Sequence, residues 1–306
     1  MTRVESTPAT DLTLSVPSVD RSPAVDDAVV AANVAAAAAG IQIRQLTQLA
    51  DFTAVYRLYA EIWGPMAQNP PVPVGMLRAL AKANNYVCGA FDGDELVGAS
   101  VAFFAGSVDV AMHSHIAGVS ARMRGRNVGF ALKVHQRAWA MLRGVSTISW
   151  TFDPLVCRNA HFNFSKLAAV SGEYLPNFYG DMDDTINGRD ATDRLLVTWH
   201  LDDDEVRSAC SRNHRGADAE AARAQGASIG LSVSDSGTPV PGQVDAARVL
   251  IAIPDDIERL RATDAARAGL WRKAVREVLG ELLANGGRIT GFDRAGWYIV
   301  DKEAAR

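Results

Sequence analysis

The stretch HSHIAGVSARMRGRNVGFAL, His113–Leu132, decides the fold, because it joins a strand pattern to a helix start. The strand pattern is carried by β-branched and apolar residues at Val108, Val110, Met112, Ile116 and Val119. The loop that follows places arginines among small residues: Arg122, Arg124, Gly125, Arg126, Asn127 and Gly129. Apolar residues then recur at helical spacing from Val128 to Leu142. The pattern predicts a strand, a tight loop and a helix that begins near Asn127.

A loop of this composition in front of a helix is suited to bind a phosphate. The first N–H groups of a helix have no intrahelical acceptor, and the helix dipole adds positive potential at the same place. The arginines would add charge-assisted hydrogen bonds. Two common phosphate motifs are absent, the nucleoside-triphosphatase loop with its Gly-Lys-Ser/Thr ending and the dinucleotide motif Gly-x-Gly-x-x-Gly.

The loop resembles the acyl-CoA loop of the GCN5-related N-acetyltransferase (GNAT) superfamily, whose pattern is Arg/Gln-x-x-Gly-x-Gly/Ala. The frame Arg126-x-x-Gly129-x-Ala131 fits in full. We prefer the frame that starts at Arg124, although Asn127 then stands where glycine is usual, because asparagine tolerates left-handed backbone angles. The resemblance implies that the pyrophosphate of acetyl-CoA, or of another acyl-CoA, is held by Arg124, Gly125, Arg126, Asn127, Val128 and Gly129.

The predicted order of elements is also that of this superfamily. Strands are predicted at residues 41–44, 86–91, 95–104, 146–152 and 195–201, and helices at residues 52–63, 76–83, 127–142 and 158–170. The resemblance covers about residues 41–203. It implies an α+β fold of the three-layer α/β type, in which helices flank a mixed and mostly antiparallel sheet.

A second passage resembles an uncharacterised subfamily of predicted acetyltransferases. It comprises Trp150–Leu155, Arg158–Asn163 and Asn177–Gly180. In the superfamily this strand splays from the preceding one and the acyl-pantetheine arm lies in the gap, which implies cofactor contacts from Ala117, Val119, Asn159 and Phe164, with an oxyanion-binding N–H near Val119. Acceptor-pocket residues are expected to be Trp63, Phe152, Asp153, Arg158, Asn163 and Phe178, with Tyr179 beside them. Alternatively, Asn159 caps a helix and Asn163 is a buried hydrogen-bonding residue.

Two histidines are candidates for the base that takes a proton from an amine. His113 and His115 are two residues apart on a strand, so both project to one face. They resemble the histidine pair of arylalkylamine N-acetyltransferases, which implies that His115, backed by His113, acts as base or water relay. The unperturbed pKa of histidine, roughly 6.5, suits that role. The alternative is a pair of packed histidines whose nitrogens are satisfied.

The general acid of the superfamily has no obvious counterpart. Members often carry Tyr-x-Lys-x-Gly, and the matching residues here run from Phe164 to Ala168, so phenylalanine stands in place of tyrosine. Ser165, Tyr174 or Tyr179 substitutes for it, or the thiolate leaves unassisted, or the domain has another chemistry.

Composition narrows the class of protein. The 306 residues are 48% hydrophobic and 22% charged, and the net charge of −4 argues against a general nucleic-acid partner. No run of apolar residues reaches the roughly 18 that a membrane helix needs. The three cysteines have no metal-binding spacing, so we expect no metal and a cytoplasmic location.

The chain is predicted to have four parts. They are a disordered leader with an Ala-rich helix (residues 1–40), a GNAT domain (41–203), a flexible loop (204–246) and a β-α-β extension that packs on the main domain (247–306). A role of the extension in a homodimer is left open.

The sequence as a whole predicts an acyl-CoA-dependent N-acyltransferase that acetylates a small-molecule amine. Two alternatives stay open: a non-catalytic acyl-CoA-binding regulatory module, and a GNAT-fold enzyme with other acyl-CoA chemistry such as O-acylation or decarboxylation.

Overall fold

The computed structural model describes residues 22–64, 72–106, 112–180, 190–213 and 216–302. The elements of the first part of the chain are α1 (Pro23–Ala39), β1 (Gln42–Gln45), α2 (Leu49–Trp63), α3 (Val74–Lys82), β2 (Tyr86–Asp92), β3 (Glu95–Phe104), β4 (Met112–Val119), α4 (Val128–Met141), β5 (Thr147–Phe152), α5 (Cys157–Ala160), β6 (Val170–Leu175) and β7 (Arg194–His200). Those of the second part are α6 (Asp204–Cys210), α7 (Ala219–Ala224), β8 (Ser228–Val233), β9 (Pro239–Pro241), β10 (Arg248–Ala252), α8 (Ile257–Thr263), α9 (Ala265–Ala284), β11 (Arg288–Asp293) and β12 (Trp297–Asp301).

The strands of the described residues form one mixed sheet of twelve strands in the order β1-β2-β3-β4-β5-β7-β6-β11-β12-β10-β8-β9. The pairs β4–β5 and β8–β10 are parallel, and the other neighbouring strands are antiparallel. The predicted α+β class and the predicted order of elements from β1 to β5 are confirmed.

Helices cover both faces of the first half of the sheet. Alternate residues of β2 point to opposite faces, so Tyr86 joins the core beneath α1 and α4, whereas Val87 joins the core beneath α2 and α3. The predicted Ala-rich helix is α1, and alanines at a spacing of three and four face α4: Ala28, Ala32, Ala35 and Ala39. Small side chains on that stripe allow the two helices to pack closely.

The second half of the chain extends the sheet. Ile289 of β11 pairs with Ser171 of β6, and α9 packs against β6, β8, β9 and β10. The buried face of α9 includes Trp271, Val275 and Leu279, which supply the apolar surface that two or three strands could not bury alone.

Two predictions about elements are wrong. The helix expected over residues 158–170 ends at Lys166 in a π-helical turn, and β6 follows it from Val170. The segment 204–246, expected to be a flexible loop, contains α6, α7, β8 and β9 in its described part. These short elements lack a periodic pattern of their own and depend on tertiary contacts, such as the burial of Leu231 where β8 pairs with β10.

Some expectations lie outside the described residues, namely the disordered leader up to residue 21 and the strand residues Val108 and Val110. Across the described ranges, none of the helices combines the length and the apolar character needed to span a membrane.

Candidate active site

The central feature is an opening between β4 and β5. These parallel strands pair only through Met112 with Ile148 and through His113 with Ser149, among the described residues. Beyond that point β4 continues to Val119 along β3 alone. The two strands therefore part, and the exposed side chain of Ala117 lies on the open stretch.

A β-bulge shapes the open part of β4. Ala102 of β3 lies opposite Ser114 and Val101 lies opposite Ile116, so His115 is the extra residue. A bulge interrupts the regular hydrogen bonding between two strands and changes the direction of the neighbouring backbone groups. The irregularity lies within the open strand, a few residues before the expected oxyanion-binding N–H near Val119.

The two histidines lie together at the start of the opening. His113 is half-buried, its Nδ1 lies 3.2 Å from Ser149 Oγ, and its ring centre lies 5.3 Å from that of Phe103. His115 is exposed, and its ring centre lies 6.0 Å from that of Phe103. Burial lowers the pKa of His113, and the neighbouring His115 and Lys133 lower it further. A neutral imidazole at neutral pH is the form that accepts a proton.

Tyr179 reaches the same region from the segment after β6. Its hydroxyl lies 3.2 Å from Thr151 Oγ1, and its ring packs edge-on against Phe178. Because side chains alternate along β5, Thr151 and Ser149 share one face, which is the face that His113 contacts. Ser149 and Thr151 are site residues that our sequence analysis missed, although polar residues alternate with Trp150 on this strand.

The predicted phosphate loop has the expected backbone. Asn127 adopts φ 58°, the left-handed conformation, and its carbonyl accepts the first hydrogen bond of α4 from Ala131. Gly125 has φ 81°, and a Cβ built there would meet no atom within 4 Å. The N–H groups of Val128 and Gly129 lie in the first helical turn, where no intrahelical acceptor exists. This space and these free donors fit a pyrophosphate.

The three loop arginines have different roles. Arg124 is exposed and has no side-chain partner among the described residues. Arg122 pairs with Glu95 at 2.8 Å. Arg126 pairs with Asp92 at 2.8 Å and donates to the carbonyls that end α1, Ala39 at 3.0 Å and Gly40 at 3.2 Å. The expectation that the Arg126 side chain holds the cofactor is therefore corrected. This side chain hydrogen-bonds the end of α1 and so connects α1 to the loop.

A buried lysine beneath the opening was also missed. Lys133 of α4 is 4% exposed, and its Nζ donates to Ser114 Oγ at 3.1 Å and to Gln136 Oε1 at 2.9 Å. The same atom lies 3.6 Å from the ring centre of Trp150 on β5. Burial lowers the pKa of Lys133 to about 7. A polar residue within the apolar run of the α4 sequence is the signal that could have identified it.

Four other predicted site residues have structural partners. Ser165 is buried and donates to the Phe292 carbonyl at 2.5 Å, so its proton is not available to a thiolate. Asn163 accepts from Trp150 Nε1 at 3.2 Å, as in the alternative interpretation. Asp153 is buried between two arginines of the extension, and Arg158 pairs with Glu258 of α8. Asp153 and Arg158 thus join β5 and α5 to the second half of the chain, and Ser165 and Asn163 are used in internal hydrogen bonds.

The aromatic residues predicted for the site fall into two groups, those buried in the core and those beside the opening. Phe152 and Phe164 are buried, and Phe164 packs edge-on against both Phe152 and Tyr298, which argues against a cofactor contact. Trp63 lies over the open part of β4. A Cβ atom added to Gly118 would come within 2.7 Å of the Trp63 ring. Phe178 is exposed beside Tyr179. Trp63 and Phe178 therefore stay candidate pocket walls.

The remaining cofactor candidates lie near the loop or on α5. Val119 is half-buried, and a Cβ on Gly129 would lie 3.8 Å from its side chain. Asn159 lies within α5, whose N-cap is Val156, so it does not cap that helix. In the described part of the chain no group of three or more His, Cys, Asp or Glu side chains could hold a metal ion.

No protein-family model matches the chain, and no curated protein sequence matches it. The chain is similar in structure to the ribosomal-protein-S18-alanine N-acetyltransferase from Escherichia coli, with 14% identity over 53% of this chain and 95% of that one, at a TM-score of 0.43. It is also similar to yncA, a putative acetyltransferase from Salmonella typhimurium with its cofactor acetyl-CoA, with 17% identity over 54% and 95% at a TM-score of 0.43. A third similar structure is the GphF GNAT-like decarboxylase in complex with isobutyryl-CoA, with 16% identity over 52% and 99% at a TM-score of 0.41.

Proposed function

We propose that this protein is an acyl-CoA-dependent N-acyltransferase that transfers an acetyl group to the amine of a small molecule. The observation that carries the proposal is the opening of β4 from β5 after His113, next to a helix start whose N–H groups are free to bind a phosphate. The bound acyl-CoA would supply an activated thioester. Side chains and backbone N–H groups around the opening would supply the base, the acid and the stabilisation of the oxyanion.

In this proposal the two histidines exchange the roles that the resemblance implied: the half-buried His113 is the base and the exposed His115 is the relay. The His113 imidazole is held neutral by burial and by the nearby positive groups, and its Nδ1 is already fixed by Ser149. In the tautomer whose Nδ1–H donates to Ser149 Oγ, Nε2 takes the proton from the attacking amine, directly or through water and His115. A backbone N–H near Val119, on the open part of β4, would stabilise the negative charge that develops on the thioester oxygen.

Tyr179 is the proposed acid for the leaving thiolate. Ser165 and Phe164 cannot supply a proton, because the first is bonded to the Phe292 carbonyl and the second has none. The Tyr179 hydroxyl lies at Thr151, on the face of β5 that also carries Ser149. Trp63 and Phe178 would form apolar walls of the acceptor pocket, which favours an amine with an apolar or aromatic body.

Calorimetric titration with acetyl-CoA tests the cofactor site. We expect Arg124→Ala to weaken binding about ten-fold, since it removes an unpaired cation from the loop. The matched control is Arg122→Ala, which removes the same charge two residues away but from a pair with Glu95, and which we expect to change affinity by less than about two-fold. No binding of acetyl-CoA or of longer acyl-CoAs to the wild type would refute the proposal.

The missing tyrosine at Phe164 favours the alternative of a binding module without turnover. His113→Gln and His115→Gln variants separate the two. In an enzyme, thiol release in the presence of an amine library falls by about 100-fold or more while acetyl-CoA affinity is kept. In a binding module, the wild type itself releases no thiol above the spontaneous rate.

A further inference from the structure

A group of basic side chains lies beside the start of α4 and comes from separate parts of the chain. We call Lys166, Arg212 and Arg294 the basic cluster. Lys166 ends the π-helical turn, Arg212 follows α6, and Arg294 lies in the turn between β11 and β12. The π-helical turn packs against both α6 and β11, which brings Arg212 and Arg294 towards Lys166. Burial lowers the pKa of Lys166, and the charges of Arg294 and Arg212 lower it further, so both arginines lie within Coulomb range of Lys166.

The basic cluster has no carboxylate partner at salt-bridge distance within the described ranges. Lys166 Nζ donates to Asn127 Oδ1 at 3.2 Å, and the Arg212 guanidinium lies 5.4 Å from the ring centre of Phe130. The acid nearest in sequence, Asp293, accepts from the backbone N–H groups of Ala219 and Ala295 instead. In contrast, three other arginines of this region are paired with carboxylates, namely Arg122, Arg126 and Arg158, whereas Arg124 of the loop is, among the described residues, unpaired like the cluster.

Like charges repel one another, so bringing three cations together without a carboxylate paired to any of them lowers stability unless an anion joins them. His161 also lies near Arg294 and Lys166. Burial and then these two cations lower its pKa, and the charge of Asp293 opposes them without reversing the shift. The buried Nδ1 of His161 has no hydrogen-bond partner. The arrangement has the charge of a site for a multiply charged anion.

The basic cluster lies beside the start of α4, and this position indicates which anion it would bind. Asn127 is the residue at which α4 begins and Phe130 lies in its first turn, so the cluster borders the loop that holds the pyrophosphate in our proposed function. Coenzyme A carries a phosphate monoester on its ribose, a few bonds from that pyrophosphate. We infer that the basic cluster binds the 3′-phosphate of the acyl-CoA, and that the C-terminal extension thereby supplies Arg294 to the cofactor site.

This inference rests on the proposed function and assigns a role to the extension. A doubly charged phosphate monoester offers three acceptor oxygens, which suits two guanidinium groups and one ammonium group from different directions. The protein would then distinguish acyl-CoA from its dephospho form. The loop from Arg124 to Gly129 cannot make that distinction alone, because both ligands have the same pyrophosphate.

The test compares acetyl-CoA with dephospho-acetyl-CoA by calorimetry on the full chain. We expect the wild type to prefer acetyl-CoA by at least about ten-fold. Arg294→Ala and Arg212→Ala should each reduce that preference to about two-fold or less, through weaker binding of acetyl-CoA and unchanged binding of the dephospho ligand. Arg259→Ala is the control, because it removes an exposed arginine of the same extension, on α8. Thermal melts of each variant check that the fold is kept.

The outcomes separate the two proposals. Equal affinity of the wild type for both ligands overturns this inference and leaves the proposed function standing. A preference that survives in both Arg294→Ala and Arg212→Ala also overturns it, since another group must then read the 3′-phosphate. Absence of binding to either ligand overturns the proposed function and this inference together.

Discussion

Two regions of this protein bury charged side chains, and they do so in opposite ways. Beneath the opening of β4 and β5, Lys133 is surrounded by neutral groups, namely two oxygen acceptors and an indole ring. At the end of β5, Asp153 lies between Arg272 at 2.8 Å and Arg261 at 2.6 Å, and Asp190 contacts both arginines. We call this second group of four residues the ionic seam, because it joins the two halves of the chain.

The pKa values express the difference. Burial acts to raise the pKa of Asp153, but Arg272 and Arg261 outweigh it and hold the pKa at about 2. Burial lowers the pKa of Lys133 to about 7, and no acid compensates. A buried ion with full ionic partners stays charged and maintains structure, whereas a buried ionisable group without them loses its charge near neutral pH and is retained at a cost in stability, which directs attention to the site above Lys133.

The largest effect is expected at the ionic seam. Asp153→Ala leaves two guanidinium groups facing each other with only Asp190 to neutralise them, and we expect a loss of about 3–5 kcal/mol in the free energy of unfolding. Urea denaturation measures it. In a double-mutant cycle with Arg272→Met, the double variant should be more stable than the sum of the single losses predicts. Additive losses would show that the two side chains do not interact.

The second prediction concerns alkaline pH. The folded-state pKa of Lys133, about 7, lies below the value of 10.5 for a free lysine, so between these values the unfolded chain binds a proton that the folded chain does not. Stability therefore rises with pH in this window, by up to about 1.4 kcal/mol per pH unit. Between pH 7 and 9 the wild type should gain about 2–3 kcal/mol relative to Lys133→Met.

The Lys133→Met variant is the reference for that experiment because methionine fills a similar volume and carries no charge. Subtracting its pH profile removes the contributions of cysteines and tyrosines that titrate in the same range. Parallel profiles for the wild type and the variant would mean that Lys133 is charged to the same extent in both states. The contrast between the two regions would then disappear.

The third prediction concerns the contribution of the ionic seam to stability at acidic pH. The folded-state pKa of Asp153 is about 2 against 3.8 for a free carboxyl, so its contribution is complete above pH 4 and is lost as pH falls through 2. We expect a loss of about 2 kcal/mol over that interval. The neutralised pair Asp153→Asn/Arg272→Gln should lack it. An identical acid profile in that variant would assign the loss to other carboxylates.

The sequence predicted the first half of the fold well because its elements are periodic and locally encoded. The Asp92-Gly93-Asp94 turn, the apolar stripe of α4 and the left-handed Asn127 each depend on neighbours along the chain. The resemblance implied that β5 splays from the preceding strand, and the structure has an opening between β4 and β5 after His113, with His113, His115 and Tyr179 around it.

The rest could not be predicted because it depends on contacts distant in sequence. Asp153 and Arg158 have the residue types of a substrate pocket, but their partners lie more than 90 residues further along, in α8 and α9. Arg126 likewise has the pattern of a phosphate ligand and contacts the end of α1. The short strands β8 and β9 pack against α9, β8 also pairs with β10, and α6 contacts α1 and the π-helical turn, so these elements depend on distant partners.

The smallest effect is expected at the exposed ion pair of Arg158 and Glu258, which we call the rim pair because it lies beside the ionic seam. It tests whether burial or pairing determines how much an ion pair stabilises the fold. Arg158 pairs with Glu258 through both guanidinium nitrogens, the same bidentate geometry as Arg272 with Asp153, but Arg158 is 66% exposed and Arg272 is 4% exposed. Water solvates the rim pair in either state, so Glu258→Gln should cost less than about 1 kcal/mol, and added salt should reduce that cost further. Urea denaturation at low and high salt measures both. If Glu258→Gln costs as much as Asp153→Ala, pairing alone stabilises the seam, and the lack of an acid at Lys133 no longer marks that region as exceptional.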